Sequence, residues 1–186
     1  MPYRPSMRTL CALTGLTVLL YLSMVFGPLA RLQAIASAPP LDMRPFGYAP
    51  DDAKAFLNAL GSAGRSLYLT RQIPLDMIYP GLLALTLAGW LRWLGRKGAA
   101  VAVAASLCDY IENLLIVGLL LTYPEMPDGP LVWAGWATVL KSGLSTVAFS
   151  WLLIAGTISA CRSIARRHAR PGQRKAIAGT KHRQHG

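Results

Sequence analysis

Charge is scarce in this chain. Charged residues make up 15% of its 186 residues, while 53% are hydrophobic. A soluble domain usually carries about 25% charged residues. The shortfall argues against a water-soluble globule and for one membrane domain. Histidine is missing wherever the sequence is apolar: His168, His182 and His185 all lie near the C-terminus. No histidine is therefore placed to ligate a metal or act as a base at bilayer depth. The chain also lacks H-E-x-x-H, Walker A and G-x-S-x-G motifs, so the familiar soluble hydrolase and nucleotide chemistries have no foothold. There are three cysteines, Cys11, Cys108 and Cys161, with no C-x-x-C pair. No structural disulfide, metal or cofactor is expected from them. Cys161 reads as a small apolar filler or, at a membrane edge, as an acylation site.

The formal charge of +11 is unevenly spread. Basic residues gather at Arg4 and Arg8, at Arg92, Arg96 and Lys97, and from Arg162 to Arg183, and no acidic residue shares those segments. The loop TYPEMPDGP between the last two apolar stretches carries Glu125 and Asp128 and no base. This is the positive-inside pattern, so both termini are expected in the cytoplasm. It accounts for the basic balance without nucleic acid, which the tail could not stack against for want of interleaved aromatics.

Four spans follow from the apolar runs, at about 9–27, 73–93, 99–121 and 131–160. The first could be a signal peptide with Ala36-Ser37-Ala38 as its cleavage site. Its apolar run is too long for that, and the site lies too far beyond it. Residues 1–161 form the membrane domain, and 162–186 a basic cytoplasmic tail expected to be disordered. In the first external loop, PDDAKAFLNALG predicts a short amphipathic helix. Asp51 is its expected cap, Ala53, Phe56, Leu57 and Leu60 its apolar stripe, and Gly61 its stop. Arg65, Tyr68 and Arg71 follow at the entrance to the second span, either as headgroup anchors or as part of a binding site.

The third span, SLCDYIENLLIVGLLLTY, organises the rest. Asp109, Glu112 and Asn113 stand at i, i+3 and i+4, on one helical face. A carboxylate at bilayer depth costs about 2.5–3.5 kcal/mol on insertion scales and normally faces a protein interior with a partner. On the fourth span Lys141 lies roughly 15 Å in, at 1.5 Å per residue. Antiparallel neighbours put it level with Asp109. Thr138, Lys141 and Ser145 form a polar stripe, and Ala134, Gly135, Ala137, Ser142 and Gly143 are small enough for close packing. Ser145 with Lys141 is also the spacing of a Ser–Lys hydrolase, a weak signal. On the second span, Pro80 has no N–H, so the Asp76 carbonyl loses its helical donor beside the Asp76 side chain. Such a break persists where neighbours satisfy the freed carbonyl.

Two readings of these groups compete. A buried Lys–carboxylate pair fixing helix register explains two charges. Three acids and one lysine leave an excess of carboxyl groups, so at least one is protonated or binds something. On the functional reading Asp109 and Glu112 are the candidate proton-handling groups, with Asp76 their partner near the entrance. Asn113, Lys141, Tyr79, Arg65 and Tyr68 are the candidate ligand contacts.

The segments GYAPDDAKAFLNALGSAGRSLYL, LDMIYP and CDYIEN together resemble a group of small four-span bacterial membrane proteins. That group carries Gly-Arg-x-x-Tyr, Leu-Asp-x-x-x-Pro and Asp-x-x-Glu-Asn. The resemblance covers roughly residues 47–121. It implies a bacterial inner-membrane protein and brings no activity with it. EXPERA-type sterol isomerases and sigma receptors are similar only in having four spans and membrane carboxylates. The expectation is an all-α, integral membrane four-helix bundle with a surface helix. Its partners would be membrane lipids, a small hydrophobic ligand or further membrane subunits. It would act as a lipid-binding or lipid-modifying protein, as a non-catalytic scaffold, or, less readily, as a proton-coupled transporter.

Overall fold

The structure, a computed structural model, describes the backbone of residues 5–95 and 97–182 and the side chains of 5–95 and 97–166. Arg4, Arg96 and the side chains of the basic segment beyond Arg166, to which the sequence assigns a cytoplasmic place, lie outside the described residues. The described residues are helical, without a strand. Four helical stretches are long and apolar enough to cross a membrane: Met7–Ala36, Gly61–Trp93, Ala99–Thr122 and Asp128–Arg166. That is consistent with an integral membrane protein.

The first stretch is two helices with a joint. α1, Met7–Met24, is capped by Ser6, whose hydroxyl accepts from the Thr9 N–H at 3.1 Å. A π-helical turn over Val25–Leu29 follows, with Gly27 at φ −101°, ψ −108°, and then α2, Ala30–Ala36. Pro28 cannot donate to the turn before it, and glycine tolerates the resulting break. The expected span of 9–27 thus stops where the chain bends rather than where helix ends.

α3, Pro50–Ala59, is a short helix where the sequence predicts one. Ala53, Phe56, Leu57 and Leu60 are all buried, as the stripe required. They share one core with Leu32, Leu41, Tyr68, Ile116, Leu119 and Leu131, so α3 closes one end of the molecule. Asp51 is not its cap. Ala49 takes that position because Pro50, at N1, supplies a preset helical φ, and the Asp52 carboxylate accepts the Ala49 N–H at 3.4 Å. Gly61, at φ +61°, turns the chain into α4, Gly61–Leu67.

The second stretch begins earlier than expected. α4 runs through a π-helical turn, Tyr68–Gln72, into α5, Ile73–Trp93. The sequence places Arg65, Tyr68 and Arg71 at the entrance to a second span that begins at 73. The backbone from Gly61 to Gln72 is helical, with Leu60 and Tyr68 buried in the end core. α6, Ala99–Thr122, matches its expected limits within a residue. α7 begins at Asp128 and continues in the backbone to His182, past the boundary at 161.

α6 packs between α5 and α7, and α1 packs on α5. Two polar contacts tie α1 to α5: Thr17 Oγ1 to Thr86 Oγ1 at 2.8 Å, which is buried, and Trp90 Nε1 donating to Thr14 Oγ1 at 2.9 Å, which is part-buried. Away from α3, Leu87, Ala102 and Ala148 form a second, smaller core. This arrangement leaves a cleft between α1 and α7, floored by α5 and α6.

Candidate functional site

The three polar residues of α6 point inward together. Asp109 is 9% exposed, and Glu112 and Asn113 are fully buried. α7 answers with Thr138 and Lys141. Lys141 Nζ stands 2.9 Å from Asp109 Oδ1 and also pairs with Glu112 Oε2. Thr138 Oγ1 reaches both Glu112 Oε1 and the Ala134 carbonyl, and its one proton serves either. The depth argument matched Lys141 with Asp109. The side chain is long enough to span one further turn and takes Glu112 as well. A lysine in this position balances one of its two carboxylates and leaves the other in excess.

The break at Pro80 is repaired from α6. Asn113 Nδ2 donates to the Asp76 carbonyl oxygen at 3.0 Å. The amide is thereby committed to backbone, and its own Oδ1 has no partner. The Asp76 side chain is 3% exposed, and its Oδ2 likewise has none.

Two loop residues enter the site without any sequence expectation. Asp42 lies in a 3-10 turn, Leu41–Met43. Its Oδ1 accepts from Tyr68 Oη at 2.8 Å and its Oδ2 from Gln72 Nε2 at 3.4 Å. The π-helical turn at 68–72 is what brings both donors to one carboxylate, and both are fully buried. Tyr48 follows Gly47, which sits at φ +78°. A Cβ on Gly135 would meet the Tyr48 carbonyl oxygen at 2.8 Å, so the loop backbone rests directly on that glycine of α7. The Tyr48 hydroxyl is buried without a partner. Burial, followed by the nearby Glu112 charge, holds its phenol above the usual tyrosine range. Gly135 was expected to serve helix packing and serves loop packing instead. Gly143 has open space around it.

A cavity of about 310 Å³ opens beside these groups. Its polar lining is Asp42, Asp76, Asp109 and Lys141, with Ser142 and Ser145 of α7. Its apolar lining includes Met24 of α1, Leu29, Tyr79 and Leu83. Tyr21 and Phe149, 43% and 44% exposed, stand on α1 and α7 at the rim. Tyr21 and Tyr79 rings lie 5.7 Å apart. Among the described residues, no group of three or more His, Cys, Asp or Glu is arranged to hold a metal ion.

The candidate residues thus divide. Asp76, Asp109, Lys141 and Tyr79 face the cavity. Glu112 and Asn113 lie behind its wall, holding the wall in place. Tyr68 orients Asp42. Arg65 is elsewhere: its Nη1 donates to the Leu57 carbonyl at 2.9 Å, and its guanidinium lies 3.6 Å from the Tyr123 ring centroid. It fastens α3 and α4 to the turn after α6. Asp42, Gln72 and Tyr48 were missed. The one available signal for Asp42 was an acid set between Leu41 and Met43 after two prolines, a hint with no spatial content.

Searches of family models, of curated proteins and of solved structures found no match to this chain.

Proposed function

We propose that this protein binds a small amphiphilic molecule at bilayer depth, between α1 and α7, with its head against Asp42, Asp76 and Asp109. The observation that carries this reading is the composition of the cavity lining, in which Asp42, Asp76 and Asp109 stand among aliphatic and aromatic side chains. Ligand sites have this composition: mostly apolar lining, with a few convergent polar groups. Intramembrane ionisable residues mark such sites. Of the two candidate proton-handling groups on α6, Asp109 is the one that faces the cavity, with Lys141 setting its charge. The uneven spread of basic residues supports a bacterial inner-membrane protein with both termini in the cytoplasm, in line with the motif resemblance.

The experiment is native mass spectrometry of the protein in lipid nanodiscs, comparing wild type with Ser145→Trp, which fills the cavity from its wall. A defined small molecule retained by wild type and lost from the filled variant, at equal thermal stability, is the expected result. Identical bulk lipids in both would remove the proposal.

A second reading has its own observation. Lys141, Glu112, Thr138 and Asn113 are occupied with one another or with backbone, as a packing lock would be. If that lock is their whole role, Glu112→Gln changes thermal stability and leaves the retained molecules unchanged.

A further inference from the structure

Resting on the amphiphile reading, we infer that the head of the bound molecule is a protonated amine, carried on a short apolar body. The argument starts from the charge inventory of the site. Four carboxyl groups, Asp42, Asp76, Asp109 and Glu112, gather around one cation, Lys141. That cation is already shared between Asp109 and Glu112. Among the described residues, no arginine, histidine or second lysine lines the cavity.

The second observation is the unmet demand of one side chain. Asp76 is 3% exposed, lines the cavity, and has an oxygen with no donor from the chain. A buried carboxylate without a donor loses its hydration with nothing in return. Asp42 is met by Tyr68 and Gln72, both neutral, so its hydrogen bonds are supplied but its charge is not. The site therefore lacks two things at once: a donor for Asp76 and positive charge near Asp42 and Asp76.

An alkylammonium supplies both, having three N–H donors and one unit of charge. A hydroxyl head brings a donor and no charge. A carboxylate or phosphate head adds negative charge to a site already in excess. Tyr21 and Tyr79 line the same cavity, and aromatic rings attract a cation through their quadrupole. The aliphatic side chains of Met24, Leu29 and Leu83, in the same lining, take the body of the molecule.

The test uses the full-length protein in phosphatidylcholine nanodiscs at neutral pH, titrated calorimetrically against empty nanodiscs. The probes are dodecylamine, dodecanol and dodecanoate, which share a chain length and differ in the head. The amine is expected to bind about tenfold or more tightly than the alcohol, a difference of about 1.4 kcal/mol. Dodecanoate is expected to show no binding. In Asp76→Asn, and separately in Asp42→Asn, the preference for the amine should collapse while dodecanol binding persists, which also reports an intact cavity. Equal binding of amine and alcohol, or a preference untouched by both substitutions, overturns the amine assignment and leaves the amphiphile site standing. Absence of binding by all three probes overturns both.

Discussion

Asn113 supplies the hydrogen bond that Pro80 removes. The proline denies the Asp76 carbonyl its helical donor, and the α6 amide replaces it at 3.0 Å. One helix is thus broken for the benefit of a contact with the next. The two residues should be strongly coupled. Asn113→Leu is expected to cost about 1–3 kcal/mol, the penalty of a buried unsatisfied carbonyl. In a Pro80→Ala background the alanine N–H can serve that carbonyl, and the cost should shrink. A double-mutant cycle followed by thermal unfolding in nanodiscs measures the coupling. Additive effects would mean that the amide does something else.

Among the described residues, Lys141 is the one cation paired with Asp109 and Glu112, and its loss should be severe. Lys141→Met is expected to destabilise the protein by about 3–5 kcal/mol, as removal of one partner from a buried pair does. The same change combined with Glu112→Gln should recover much of the loss, because one uncompensated charge goes with it. The comparison is of unfolding midpoints for the single and double variants. A double variant as unstable as Lys141→Met would contradict the shared ion pair.

The contact of Gly135 with the Tyr48 carbonyl leaves no room for a methyl group. Gly135→Ala should displace the loop that carries Tyr48, lowering thermal stability and raising the rate of proteolysis there. Gly143→Ala and Gly118→Ala, each with nothing within 4 Å of the added carbon, should be neutral or mildly stabilising. Equal behaviour of all three would place the loop off α7.

The Tyr48 phenol is held neutral by burial and by the Glu112 charge. Its folded pKa lies above the unfolded value, so the stabilisation it gives is complete below about pH 10. Ionisation in the unfolded chain then drains that stabilisation as pH rises toward the folded value. Tyr48→Phe should leave stability near pH 7 little changed, because the hydroxyl has no partner to lose. It should also make the alkaline decline shallower. Unfolding midpoints between pH 8 and 11 for both proteins decide the matter.

Helical periodicity made part of this site legible. The stripe Ala53, Phe56, Leu57 and Leu60, the shared face of Asp109, Glu112 and Asn113, and the depth of Lys141 all follow from regular geometry. The break at Pro80 follows from covalent chemistry. Asp42, Tyr48 and Gln72 follow from neither. Asp42 and Tyr48 stand in turns, where neighbouring positions have no fixed angular relation. Gln72 stands in a π-helical turn that shifts the helical register. Arg65 misled because an arginine beside a glycine-rich entrance suggests a headgroup or ligand, while the deciding partner, Tyr123, lies far along the chain. The bend at Gly27 was visible as Gly-Pro but read as an end, since the apolar run pauses there.

That bend divides the cavity wall into two pieces of unequal attachment. Tyr21 and Met24 stand before it on α1, which Thr17, Thr14 and the α5 residues Thr86 and Trp90 hold in place. Leu29 stands after it, leading into α2, whose Leu32 belongs to the core under α3. The two pieces are therefore secured separately, the first by its bonds to α5 and the second by the core that α3 closes.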